Sequence, residues 1–241
     1  MLNSRMIEHT ERMFAWRARP GRTWFASRPE AASPVVRSRR QVAIKFGLDA
    51  LAASLILIVV APVMALAAIL VKLDGGPVFY AQQRIGRGGK TFPCLKFRSM
   101  SVRSQELLND LLLRDPDAAK EWAETRKLRH DPRVTWVGAF LRKASIDELP
   151  QLFNVLRGEM SLVGPRPIVE QEVPRYAENI AYYHAVRPGL TGLWQVSGRS
   201  SVSYDSRVQL DVAYVQNWSL MRDLVILLKT IPAVLQGSGA V

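Results

Sequence analysis

The segment Ala50–Val71, ALAASLILIVVAPVMALAAILV, governs how the rest of the chain is read. Its 22 residues carry no charge. At 1.5 Å per residue, a straight helix of that length reaches roughly 33 Å, about the thickness of a hydrocarbon core. The segment begins at position 50, too late for a secretory signal peptide, and no small-residue cleavage site follows it. A retained membrane element is expected.

The flanks argue about its path. Asp49 stands before the segment, Lys72 after it, and Pro62 near its middle. A proline there removes one backbone hydrogen bond and crowds the preceding turn. Residues 1–45 hold ten Lys/Arg against three acidic residues, and residues 72–103 hold seven against Asp74 alone. Positive charge marks the cytoplasmic side of a membrane segment, and here both flanks are positive. The economical reading is a helix broken at Pro62 that dips into one leaflet and returns. The competing reading is a spanning helix with a proline kink, which membranes tolerate.

Three regions follow: a basic tail (1–41), the membrane helix (42–73) and a catalytic-sized domain (74–241). The tail interleaves Arg5, Arg12, Arg17, Arg19, Arg22 and Arg28 with Phe14, Trp16, Trp24 and Phe25. That composition suits a bilayer surface with anionic lipid. The net charge of +12 likewise points to a polyanionic partner. The lone Cys94 excludes an internal disulfide, and His9, His130 and His184 have no metal-ligand spacing. Any chemistry must come from carboxylates and basic groups.

In the domain, two strands are predicted over Val78–Ile85 and Thr91–Met100, around a turn at Gly86-Arg87-Gly88-Gly89. On the second strand Lys96 and Arg98 share a face. Helical spacing runs through 104–130 with a break at Asp115-Pro116, then through Val134–Lys143. Residues 164–198, rich in Gly and Pro, read as loops with short elements. A last helix over Leu224–Leu235 suits either the core or the membrane interface. The fold class expected is α+β, mainly helical.

Ser145-Ile146-Asp147-Glu148-Leu149-Pro150-Gln151 is the sharpest local signal. Ser145 and Glu148 have capping-box spacing, which alone predicts an ordinary helix start. The neighbourhood offers a second reading. Arg142 and Lys143 precede it, and Arg166, Arg187 and Arg199 each sit beside Pro or Gly, where the chain path is stiff. Arginines so held suit bidentate phosphate recognition. Two adjacent carboxylates among them suit a hard metal ion, and one can attack phosphorus.

Four runs carry a resemblance: Asp131–Leu152, Asn154–Pro167, Lys96–Met100 and Arg187–Gly192. Together they resemble the bacterial sugar transferases, the monotopic phosphoglycosyl transferases, over about residues 42–236. Ile146 stands where that family more often has leucine. The resemblance implies a monotopic protein of the cytoplasmic (inner) membrane, with a re-entrant helix and a small catalytic domain on the cytoplasmic face.

It further implies transfer of a hexose-1-phosphate, galactose or glucose, from a UDP-sugar to undecaprenyl phosphate. UMP is released, as the initiating step of exopolysaccharide or other surface glycan synthesis. Asp147 is then the nucleophile and Glu148 its assistant, the two also holding Mg2+. Lys96, Arg98, Arg142, Pro165, Arg166, Arg187 and Arg199 are then substrate-binding. Anionic lipids are expected partners, nucleic acid is not, and a homo-oligomer is left open. The alternative is a non-catalytic scaffold of polysaccharide assembly. A membrane-tethered nucleic-acid binder would explain the charge but not the Asp–Glu pair.

Overall fold

A computed structural model describes residues 38–125, 128–198 and 202–235. The tail reading of residues 1–37 therefore lies outside the described residues. Residues 39–41, expected in the tail, already belong to the long helix α1 (Arg39–Lys72). Ser38 starts it with a reciprocal capping box: its hydroxyl accepts the Gln41 N–H while the Gln41 side chain accepts the Ser38 N–H. Such a cap contributes about 1 kcal/mol. Pro62 lies inside α1, on an exposed face, and the helix runs on both sides of it. Any turn of the chain at Pro62 is thus a bend within a helix and not a gap between two.

The predicted hairpin forms from β1 (Phe79–Ile85) and β2 (Thr91–Phe97), antiparallel, with Phe79 opposite Phe97 and Ile85 opposite Thr91. Gly88 and Gly89 take positive φ in the turn between them. Two helices, α2 (Ser104–Arg114) and α3 (Pro116–Thr125), meet at the predicted Asp115-Pro116 break. The short α4 (Trp136–Lys143) is capped by the Thr135 hydroxyl. After it come α5 (Gln151–Leu156) and β3 (Ser161–Val163).

The Gly- and Pro-rich stretch contains an irregular 3-10 run (Glu170–Asn179), α6 (Ile180–His184), β4 (Gly189–Thr191) and α7 (Leu193–Val196). Strand β4 pairs in parallel with β3, Ser161 opposite Gly189 and Val163 opposite Thr191. A Cβ added at Gly189 would lie 2.1 Å from the Gly164 nitrogen, so the two strands approach this closely only with glycine. Two helices close the chain, α8 (Tyr204–Gln216) and α9 (Leu220–Leu235). The sequence reading placed one helix there. Asn217, Trp218 and Ser219 break the pattern into two.

Two apolar clusters hold the domain, and α1 contributes to both. Ala53 belongs to the larger one with Leu152, Val155, Met160, Val163 and Ile168, while Met64, Ala67 and Val71 join Phe97, Val137 and Leu141 in the other. The helix therefore touches the domain along its length. Its two ends are tied to that domain by polar bonds as well. Lys45 donates to Asp223 on α9 at 2.6 Å, and the Arg98 guanidinium donates to the Val71 carbonyl at 3.0 Å.

Around the first tie lies a closed set of buried groups. Asp223 also accepts from the Tyr214 hydroxyl and the Trp218 indole N–H. Asp49 accepts from the Ser161 hydroxyl at 2.7 Å and stands 3.6 Å from the Lys45 nitrogen. The outer faces are apolar: Leu51, Leu55, Ile58, Val59, Leu66 and Ile69 on α1, and Leu220, Met221, Leu224, Leu228 and Ile231 on α9, are all exposed.

Candidate active site

Helix α4 ends at Lys143, and the chain then turns through Ser145, whose φ of 56° is left-handed. Its N–H bonds back to the Arg142 carbonyl, closing the helix. The capping-box expectation for Ser145 and Glu148 is overturned here. Ser145 makes no side-chain cap, and Ile146–Glu148 form a single 3-10 turn before α5. The physical reason is that Ser145 serves the end of α4, not the start of the next helix. That leaves the Glu148 carboxylate free to reach across to β2.

There it meets Lys96, whose ammonium lies 2.7 Å from Glu148 Oε1 and 3.8 Å from Asp147 Oδ2. Asn154 of α5 fixes the height of β2. Fully buried, it accepts the Leu95 N–H at 3.0 Å and donates to the Pro93 carbonyl at 2.8 Å. Lys96 is the neighbour of that clamped residue. Arg142 is held against the hairpin's end, donating to the Ser99 hydroxyl at 2.8 Å.

The two carboxyls are driven apart. Burial raises Asp147 to about 6, helped by Glu148 and opposed by Lys96 and Arg142. Burial also works against charge on Glu148, but the attraction and hydrogen bond of Lys96 outweigh it and hold that carboxyl below the ordinary glutamate range. Adjacent carboxyls tuned in opposite directions mark distinct chemical roles. Glu148 is the permanent anion. Asp147 is the more basic oxygen, buried, with no side-chain hydrogen bond among the described residues.

Arg166 stands on the Glu148 side. Its guanidinium lies over the Trp194 ring at 5.2 Å and donates no hydrogen bond among the described residues. Burial depresses its pKa, and the nearby Arg207 and Arg84 depress it further, against the pull of Glu148. An arginine with free donors beside two others is poised for a ligand of more than one negative charge. Its loop is braced: Arg84 donates to the Pro167 carbonyl at 3.0 Å, and Arg207 pairs with Glu172 at 3.2 Å.

A match to the family model of bacterial sugar transferase covers residues 40–237. The chain belongs to the bacterial sugar transferase family. It is similar to the exopolysaccharide production protein ExoY of Rhizobium meliloti, 56% identical over 81% of this chain and 87% of that protein. It is 54% identical to an undecaprenyl-phosphate galactose phosphotransferase of Salmonella typhimurium, over 82% of this chain but only 41% of that one. A UDP-glucose:undecaprenyl-phosphate glucose-1-phosphate transferase of Caulobacter vibrioides is 44% identical over 80% of this chain and 70% of its own length. The chain thus spans about two fifths of some relatives and most of others.

In this sugar transferase, the sequence-read residues divide into groups. Lys96, Arg142, Asp147 and Glu148 come together, and Arg166 joins them from the Glu148 side. Pro165 is buried in the β3–β4 crossing, its carbonyl accepting the Gly189 N–H. Arg98 is drawn elsewhere. Its guanidinium bonds the Asp74 carboxylate and the carbonyls of Val71, Pro77 and Met100, so it clasps the end of α1. Arg187 lies over the Phe46 ring at 4.7 Å, with Asp49 and Arg87 as its charged neighbours, apart from the carboxylate pair. Arg199 lies outside the described residues. Asn154, Ser99, Arg84 and Arg207 were not singled out from the sequence. Only Asn154 and Ser99 fell within runs that carried the family resemblance.

Proposed function

We propose that the enzyme moves a hexose-1-phosphate, galactose or glucose, from a UDP-sugar to undecaprenyl phosphate and releases UMP. In this reading an Asp147 carboxylate oxygen attacks the sugar-bearing phosphorus. A new O–P bond forms, and the bond from that phosphorus to the UMP oxygen breaks. The lipid phosphate oxygen then attacks the same phosphorus and frees Asp147. The observation that carries the reading is the tuning of the pair: a buried, basic Asp147 beside a Glu148 kept anionic by Lys96. A carboxyl near 6 is largely ionised at neutral pH yet more basic than a free aspartate, as a nucleophile needs.

Mg2+ fits this donor set. Asp147 and Glu148 supply hard oxygens, and magnesium commonly takes only one or two carboxylates, with water and substrate phosphate filling the rest. When bound, the ion would screen the charge of the diphosphate. Lys96 and Arg166 would hold the phosphate oxygens, while Arg142 orders the turn that carries Asp147. The names of the relatives support both the sugar-phosphate chemistry and the lipid carrier, and that of ExoY supports a role in exopolysaccharide production.

The same reading places the domain on the cytoplasmic face of the membrane with α1 re-entrant. Its support is that α1 packs on the domain along its length and is bonded to it at both ends, while its outer face and that of α9 stay apolar. A helix crossing the bilayer would carry one of those ends to the far side, out of the domain's reach. Incubation with a UDP-sugar and no lipid tests the chemistry. Intact-mass and peptide analysis should find one hexose phosphate on Asp147, with one UMP released per chain. UMP release without any adduct would sink the covalent step, and neither product with any UDP-hexose would sink the reading whole.

A further inference from the structure

A second basic cleft lies where α1 begins. It is lined by Gln41 and Lys45 of α1, Arg87 of the hairpin turn, Ser161, and Val186 and Arg187 before β4. Lys45 is committed to Asp223 and Asp49. The two arginines are not committed. Neither the Arg87 nor the Arg187 guanidinium donates a hydrogen bond among the described residues. Arg187 rests its face on Phe46, and burial together with the charge of Arg87 depresses its pKa, against the pull of Asp49. The half-buried Arg187 and the exposed Arg87 thus line one cleft with free donors, and an anion between them would be held by charge-assisted hydrogen bonds.

The turn that carries Arg87 is seated. A Cβ at Gly89 would lie 3.4 Å from the His184 ring, and His184 Nε2 is buried without a partner. Position narrows the choice of anion. On the same helix as the cleft residues Gln41 and Lys45, and within three turns of them, Ile44, Leu48 and Leu51 are exposed and apolar. An anion arriving there meets water on one side and apolar surface on the other.

We infer that Arg87 and Arg187 clamp the phosphate of a membrane lipid, a site separate from the Asp147–Glu148 pair. The apolar tail lies along the first turns of α1. The occupant is an anionic phospholipid, since the acceptor's phosphate must reach Asp147 and this cleft stands apart from it. The inference rests on the membrane reading of α1, and the test separates the two.

Full-length protein in mild detergent is titrated with phosphatidylglycerol, phosphatidylcholine or polyprenyl monophosphate, and bound lipid is counted by native mass spectrometry. Wild type should retain one anionic lipid at least tenfold more tightly than phosphatidylcholine. The double change Arg87→Gln, Arg187→Gln should reduce that binding at least tenfold. A control removing equal charge from exposed arginines, Arg103→Gln with Arg114→Gln, should not. Arg87→Gln alone, at an exposed position, serves if the double variant melts early, and should cost at least threefold. Loss in the phosphatidylglycerol arm supports the site, and loss confined to the polyprenyl arm overturns it. Undiminished binding of both anionic lipids by the arginine variants, or an equal loss in the control, overturns the site. Wild type that fails to sediment with vesicles overturns the membrane reading instead.

Discussion

Two lysines in this molecule each stand between two carboxylates, and they have opposite fates. Lys45 meets Asp223 at 2.6 Å and Asp49 at 3.6 Å, and Lys96 meets Glu148 at 2.7 Å and Asp147 at 3.8 Å. Around Lys45 the acids are also served by neutral donors: Tyr214 and Trp218 on Asp223, Ser161 on Asp49. Around Lys96 no neutral side chain donates to either acid, among the described residues, and Glu148 keeps about a third of its side chain exposed. The same charge pattern is a rivet where its lone pairs are filled and, in the proposed function, a reaction centre where they are left open. Satisfaction of hydrogen bonds, not the presence of charge, separates structure from chemistry here.

The sharpest way to break this comparison is at Asp147. Asp147→Asn should lower turnover on the order of 10³-fold or more, since an amide is no nucleophile. It should also raise stability. A carboxyl whose pKa is raised on folding binds its proton more tightly in the folded state. The stability it lends is full below pH 4 and lost as pH rises through about 6, so at neutral pH the native aspartate is a burden. Removing it should return roughly 1–3 kcal/mol, read as a higher Tm in detergent. A variant that is inactive and less stable would show that Asp147 belongs to the rivet class.

Lysine truncation separates the two sites next. Lys45→Met should cost about 3–5 kcal/mol, because it leaves two buried acids without their cation. Lys96→Met should cost less stability than Lys45→Met, as Glu148 keeps about a third of its side chain exposed, yet it should cripple turnover. Equal melting losses in both variants would erase the distinction. Arg166→Lys keeps charge but loses the planar fork, and should cost about 1–3 kcal/mol in kcat/KM, roughly ten- to hundredfold. The smallest effect lies in pH. Adduct formation should rise with pH through about 6 and then level, as Asp147 loses its proton. Lys96→Met should move that rise upward, because Lys96 is the largest of the influences that lower Asp147.

Local pattern made much of this legible. The hairpin, the Asp115-Pro116 break, the apolar helix and the Asp-Glu pair all announce themselves within a few residues. What stayed hidden is what distance in the chain conceals. β3 and β4 have three residues each, too short for any periodicity to show. Ser145 has the spacing of an N-cap but spends its conformation on the helix before it. Lys96 and Arg98 share one face by pattern, yet Asp74 draws Arg98 away to the end of α1. Nothing near Lys45 in sequence foretells Asp223.

That last pairing joins residues 178 positions apart, the first described helix to the last. At ribosomal speeds of about 5–20 residues per second, Asp223 is made roughly 10–35 s after Lys45. For much of that interval the apolar helix is complete while the residue that ties its first turns does not yet exist. Its first orientation in the bilayer must be set without the domain, by the basic flanks and whatever insertion machinery receives it. A chain cut short before α9 would leave the helix with Lys45 facing Asp49 alone, its closer carboxylate missing.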